Sequence, residues 1–426
     1  MGNYFHSVVL SEDSCKGCTH CIKRCPTEAI RVRDRKASIF GERCIDCGEC
    51  IRVCPYHAQK AVTDDLEDIK KYKYRIALVP PAVHGQFDTG TGLGKVLKAV
   101  EMLGFDEVCD ISPYCDIASA IIKKHYLEDK KITKPAIYSD CPVIIRLIQL
   151  RYPDLLENVI PLVSPMEIAA RLKKMDTTND KNFKTGDIGV FYLTPCPARV
   201  TSIRVPVGIS LPYTDGLISI RKIFGSLSKN LRELQNLENV GGYELSGRGL
   251  EWGVIGGQSR SIGSENYLAV DGIENVINIF EELELGKLKN LDYVEAYACT
   301  GGCVGGPLLV ENAFVAKTRI KHLAHATPSP KLIGKKKVKE LLETGLFNWT
   351  EEIKPKKMAS LDPNIGKAIQ KMEKVEEILK KLPGIDCGSC GAPTCRALAE
   401  DIVNGWAREA DCVFRLREKM NEIDRG

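Results

Sequence analysis

The chain has 426 residues, 27% of them charged, with a formal net charge of +4. That length exceeds what one hydrophobic core serves, so roughly two to four domains are expected. The near-neutral balance gives no case for nucleic acid, and no segment approaches the roughly 18 unbroken apolar residues that span a bilayer, so no membrane partner is expected.

The opening MGNYFHSVVLSEDS has no basic leader ahead of an apolar stretch, and MG is not followed by Ser or Thr where a myristoylation signal needs one. A soluble, cytoplasmic protein is the expectation. Eighteen cysteines fall in tight groups, which fits reduced, metal-bound thiolates better than a disulfide framework.

Residues 15–26, CKGCTHCIKRCP, and 44–55, CIDCGECIRVCP, are each a C-x2-C-x2-C-x3-C-P run. They form an internal repeat, with AIRVRD and AVTDD after them expected as short strands. Zinc knuckles are the alternative, but a doubled fourth cysteine with its proline is not zinc spacing. The runs resemble the bacterial two-cluster ferredoxins. That resemblance implies one [4Fe–4S] cubane on Cys15, Cys18, Cys21 and Cys54, a second on Cys44, Cys47, Cys50 and Cys25, and electron transfer as the use.

From RIALVPPAV (75–83) onward, apolar runs alternate with helical patterns. VEMLGFDEVCD, KPAIYSD, DIGVFYLTP, LEWGVIGG and LDYVEAYA are expected as strands, and LGKVLKAVEML, DIASAIIKKHYL, PVIIRLIQLRY and SPMEIAARLKKM as helices. The pattern is α/β with much parallel sheet. Cys141 follows AIYSD, Cys196 follows VFYLTP and Cys299 follows VEAYA, each at an expected strand end, where α/β sheets collect ligands. Cys303 lies one turn further on, so four thiols from three distant segments can converge. Gly301, Gly302, Gly305 and Gly306 allow close backbone approach to a bulky group; an ordinary strand-to-helix turn explains the glycines as well, but not the matching cysteines.

SDCPV, TPCPARV and EAYACTGGCVGG, in this order, resemble the three cysteine motifs of the [FeFe]-hydrogenase catalytic domain, and VPPAV resembles its start. The resemblance covers roughly residues 1–325. It implies that Cys141, Cys196, Cys299 and Cys303 hold the cubane of an H-cluster, with Cys303 bridging to a di-iron subcluster that carries carbonyl, cyanide and a dithiolate. Departures accompany it. Asp140 stands where efficient members have a proton-relaying cysteine, and Arg199 where a lysine contacts an iron cyanide, a change of donor geometry. Thr194 and Tyr297 replace methionines, and Ser202 lies near an acidic relay position. These departures resemble the sensory branch of the family. Asp140, Arg199 and Cys303 are the expected catalytic residues.

After a lysine-rich stretch, Cys387, Cys390, Cys395 and Cys412 have C-x2-C-x4-C-x16-C spacing. This resembles the small [4Fe–4S] domain of corrinoid iron–sulfur proteins and of an ion-pumping ferredoxin oxidoreductase, with a zinc ribbon as the alternative. The helix before LPGID is expected to pack on this module. Cys109 and Cys115 have no motif partners and are expected to be buried structural thiols, Cys115 near the active site. TGTGLGK (89–95) lacks Walker spacing, and the seven histidines have no metal-ligand spacing.

The expected architecture is a ferredoxin-like α+β domain (1–70), an α/β [FeFe]-hydrogenase-like H-cluster domain (71–350), a linker and helix (351–378) and a small helical iron–sulfur domain (379–426). The resemblance implies slow, reversible hydrogen oxidation and proton reduction in a sensory or regulatory role. A non-catalytic electron carrier, or an iron–sulfur scaffold with only a cubane at the H-cluster site, is the alternative. Ferredoxin or another redox protein is the expected partner, with a signalling partner and a second copy of the chain as further candidates.

Overall fold

Each N-terminal cysteine run closes on one short helix, His20–Lys23 or Glu49–Val53. The computed structural model describes residues 5–129, 131–138, 140–181, 183–237, 240–356 and 361–424. Ser139 of KPAIYSD and part of the expected 351–378 linker lie outside these. The chain divides into two compact units, one of Met1–Ala61 with Lys356–Gly426 and the other Val62–Pro355.

In the first unit β1 (Val8–Leu10) pairs antiparallel with β4 (Gln59–Ala61), and β2 (Ile30–Arg33) with β3 (Lys36–Ile39). AIRVRD is thus a strand. AVTDD is not, beyond its first residue: the Asp64 N–H donates to the Leu217 carbonyl and its carboxylate accepts the Leu217 N–H at 2.7 Å, which ties this stretch into the second unit. The same first unit holds three C-terminal helices, Ile365–Lys381, Cys395–Val403 and Val413–Ile423. The first packs on the second through Val375, Ile378 and Leu379 against Ala397 and Leu398, as its amphipathic pattern implies.

The head's core has few aliphatic side chains, and Cys15, Cys21, Cys50 and Cys54 are part of it. Such a core depends on whatever the thiols bind, because a small domain without its metal rarely holds together. Stripping iron from the full chain is expected to remove amide-exchange protection from residues 5–61 while the sheets of the second unit stay protected. Equal protection before and after would show that the head is stable without metal.

The second unit is α/β. The parallel sheet β6-β5-β8-β9 comprises β5 (Tyr74–Val79), β6 (Glu107–Asp110), β8 (Ile188–Thr194) and β9 (Gly216–Ser219). A second parallel sheet, β10-β11-β7, comprises β7 (Ala136–Ile137), β10 (Tyr267–Asp271) and β11 (Tyr293–Tyr297). β8 is buried along its whole length and β5 nearly so, which is why both read as continuous apolar runs rather than alternating ones.

Two expected strands are corrected. VEMLGFDEVCD begins as the end of the helix Leu93–Glu101, and only Glu107–Asp110 is strand. LEWGVIGG is no strand: it runs from the helix Gly247–Leu250 through a tight turn at Glu251–Gly253. Its glycines permit contacts that a pleated strand would not make. A Cβ on Gly253 would lie 2.9 Å from Cβ of Pro81, and one on Gly257 would lie 1.8 Å from the Glu251 carbonyl.

Candidate metal centres

The N-terminal repeat places its eight cysteines around two small cavities, of about 10 and 20 Å³. Cys15, Cys18, Cys21 and Cys54 line the first, and Cys25, Cys44, Cys47 and Cys50 the second. Each run therefore gives its fourth cysteine to the other cavity. The repeat is matched in its hydrogen bonds: the Ala29 N–H donates to Cys25 Sγ at 3.2 Å and the Ala58 N–H to Cys54 Sγ at 3.3 Å, both four residues on. Burial pushes the Cys21 thiol up to about 11 and raises Cys25, Cys47 and Cys50 as well. Thiols so placed ionise only against a compensating positive charge, and a metal cluster supplies it.

A third cavity, about 10 Å³, is lined by Cys387, Cys390, Cys395 and Cys412. Asp386 accepts the Cys395 N–H at 2.6 Å, and Cys412 occupies the N-cap position of the helix Val413–Ile423.

The fourth set lies in the second unit, where the carboxyl ends of strands from both sheets meet. Cys141 and Cys196 each sit at the N-cap of a helix whose first residue is proline, Pro142–Arg151 and Pro197–Arg204. Proline at that position loses no helical hydrogen bond, and the open N–H groups beyond it favour a thiolate. Cys141 accepts from the N–H groups of Ala298, Ile144 and Val143, and Cys196 from that of Arg199. The Ala298 contact joins the first motif to the third, because Cys299 is the next residue. Cys303 lies near enough to Arg199, Asp140, Cys141 and Cys196 for their charges to act on it, so these five groups are neighbours. Burial raises the Cys141 and Cys303 thiols and pushes Cys196 up to about 11, with Arg199 opposing the rise in all three.

Two glycines answer why the third motif is so bare. Gly302 has φ 95° and ψ −155°, a conformation essentially reserved for glycine. A Cβ on Gly306 would lie 2.3 Å from the carbonyl of Pro195, the neighbour of Cys196. The loop can close on the second motif only without side chains. Four thiols, helix N-termini and a glycine cradle fit a cubane.

Arg199 is fully buried and pairs with Asp140, whose carboxyl is pushed up by burial while Arg199 pulls it down. Asp140 Oδ1 has no hydrogen-bond partner among the described residues. Both residues border a cavity of about 90 Å³, which Ser202, Glu167 and Arg146 also line. Thr194 bonds the Cys196 carbonyl, and the Tyr297 hydroxyl donates to the Trp252 carbonyl at 3.0 Å. Cys109 is buried on β6 and pushed up to about 12, whereas Cys115 lies within reach of the Asp140 and Arg199 charges.

Matches to known proteins follow this layout. The model of the iron-only hydrogenase large subunit, C-terminal domain, matches residues 73–267 and 254–307. The chain belongs to the [FeFe]-hydrogenase family. A 4Fe-4S dicluster model matches residues 7–55 and an Fe–S cluster model residues 382–414, so this hydrogenase-like chain is an iron–sulfur protein. Iron hydrogenase 1 of Clostridium pasteurianum is 24% identical over 289 residues, 55% of this chain and 50% of that protein. A component of the ion-translocating oxidoreductase complex of Rhodobacter capsulatus is 53% identical over 38 residues, 9% of this chain and 20% of that one. The chain spans half or less of the curated relatives it matches. An apo [FeFe]-hydrogenase variant from Chlamydomonas reinhardtii and a hydrogenase solved during stepwise H-cluster assembly each have a TM-score of 0.51, at 17% and 16% identity, covering 69% of this chain and 98% of theirs. Among the described residues no helix is long and apolar enough to cross a membrane.

Three features of the hydrogenase-like site escape the sequence reading. The placing of thiols on helix N-termini is one, although the CP pairs of SDCPV and TPCPA are a local signal that could have found it. The Asp140–Arg199 pair spans 59 positions and carries no local signal. Glu295, the one charged residue in an apolar strand, is buried and accepts the N–H groups of Gly256 and Ser259 at 2.8 Å and the Ser259 hydroxyl at 2.7 Å, which fixes the loop beneath the third motif.

Proposed function

We propose that this chain is a slow, reversible hydrogen-converting enzyme with a sensory or regulatory role. The observation that carries the reading is the convergence of Cys141, Cys196 and Cys303 beside the Arg199–Asp140 pair, with Cys299 joined to them through Ala298. In this reading Cys141, Cys196, Cys299 and Cys303 hold a cubane, and Cys303 also carries a di-iron subcluster. When bound, that subcluster supplies the metal at which hydrogen is split or formed.

The chain's own groups account for slowness. Asp140 occupies the relay position, but Arg199 engages its Oδ2, so only Oδ1 is open to hold or pass a proton. General acid–base transfer is efficient when the group is poised near the working pH and within reach of its partner. Burial raises the Asp140 carboxyl and so favours the first condition, but Arg199 holds its Oδ2 and fixes its orientation, which limits the second. The three other cysteine sets, read as [4Fe–4S] sites, connect this site to a ferredoxin or similar carrier in the cytoplasm. A signalling partner or a second copy of the chain would receive the output.

Infrared spectroscopy of protein matured with the di-iron precursor tests this. Carbonyl and cyanide bands that shift under hydrogen are expected. Their absence, in protein holding its full complement of cubanes, leaves an electron carrier or scaffold on a hydrogenase fold.

A further inference from the structure

The C-terminal module and the ferredoxin-like head lie in one compact unit, and charge holds them together. Asp401, on the helix Cys395–Val403, is 2% exposed and accepts from Arg31 Nε at 2.7 Å and from Arg33 Nη2 at 2.8 Å. Both arginines come from β2. Arg33 also donates to the Cys390 carbonyl, and between them the Val32 N–H donates to the Gly391 carbonyl at 2.8 Å. β2 thus bonds the very loop that carries Cys387 and Cys390.

The approach is tight. Gly391 has φ +80°, and a Cβ there would lie 1.8 Å from the Val32 carbonyl. A Cβ on Gly388 would lie 3.4 Å from Ile22 and 3.3 Å from Lys23. Ile22 and Lys23 stand between Cys21 and Cys25, which line the two different head cavities. Arg43 to Glu400 at 2.8 Å and a Phe40–Trp406 stack at 5.6 Å complete the contact. Desolvating three charges is costly, and its best-attested return is a fixed register.

We propose that Asp401 is a positioning residue for electron transfer: with Arg31 and Arg33 it locks the C-terminal cluster against the head, so that these three clusters form one relay. The proposal rests on reading the three cysteine sets as [4Fe–4S] sites. A low-potential one-electron carrier protein reduces the C-terminal cubane. That cubane then gives up one electron and is reoxidised while a head cubane is reduced; no bond or proton changes place. The module is an entry port fixed to the head, not a cluster swinging on a linker.

Electron paramagnetic resonance of the reconstituted, dithionite-reduced full chain, with iron analysis of each sample, tests this. The signal of the C-terminal cluster, obtained by subtracting the spectrum of Cys390→Ser/Cys412→Ser, is expected to be split and broadened by neighbouring spins. Asp401→Ala is expected to keep its iron and lose that splitting. Gly391→Ala, which pushes the loop off Val32 without altering charge, is expected to do the same if Asp401→Ala fails to fold. An unsplit signal in the native chain, or splitting that survives in these variants, overturns the proposal. Equal iron in the native chain and in Cys390→Ser/Cys412→Ser overturns instead the reading of that set as a cluster site.

Discussion

Replacing Arg199 by methionine is expected to cost about 3–5 kcal/mol of stability and to abolish hydrogen turnover, because it leaves Asp140 as an uncompensated buried charge. Burial is the largest single effect and works against the Arg199 charge, but Asp140, Tyr192 and the Cys303 and Cys196 thiols together outweigh it and hold the guanidinium protonated. The guanidinium also lies over the Tyr192 ring, 5.4 Å from its centroid. Asp140→Ala alone strands the opposite charge and should be destabilising too, with turnover lowered. The double variant removes both charges, and apolar replacement of a buried pair is often close to neutral. It is therefore expected to regain most of the lost stability and none of the turnover. Denaturant unfolding of the four proteins gives the coupling energy directly. Additive losses would mean that the two groups act independently; turnover regained with stability would mean that the pair serves the fold and not the chemistry.

A single methyl group on Gly302 is expected to empty the fourth cysteine site. Alanine there must adopt φ 95° with ψ −155°, and its Cβ would lie 2.9 Å from the Gly253 carbonyl oxygen and the Ile255 nitrogen, both backbone atoms that cannot swing aside. Strain and overlap together should cost about 3–5 kcal/mol. Gly301 provides the comparison. Its φ is +88°, yet the nearest atom to an added Cβ is a Val304 methyl at 3.6 Å, so Gly301→Ala should cost only the backbone strain, about 1–2 kcal/mol. Iron analysis should show one cubane's worth of iron missing from Gly302→Ala and a near-normal content in Gly301→Ala. Equal losses in the two would show that backbone conformation alone, not closeness to Val254, decides the loop. Full iron in Gly302→Ala would show that the cradle is not needed for the metal.

Much of the chemistry was legible because cysteine spacing is local. Three thiols within seven residues, as from Cys15 to Cys21, can only crowd one small volume, and the matching run from Cys44 announces a second. The middle motifs were legible for a different reason: buried parallel strands read as apolar runs, so Cys141, Cys196 and Cys299 could be placed at their ends. The same reasoning failed at LEWGVIGG, whose apolar residues surround glycines that serve close backbone packing, as Gly257 does against the Glu251 carbonyl. An apolar run with glycines has no period that separates a strand from a tightly packed turn.

The sequence alone determined which residues can bind metal and at which chain positions, since ligand type and short spacing are properties of the covalent chain. Tertiary structure decided which distant groups meet. Arg199 finds Asp140 across 59 positions, and Arg31 finds Asp401 across 370. Neither pair leaves a local pattern, because a buried charge is stable wherever its counter-charge arrives, and only the packed chain fixes where that is.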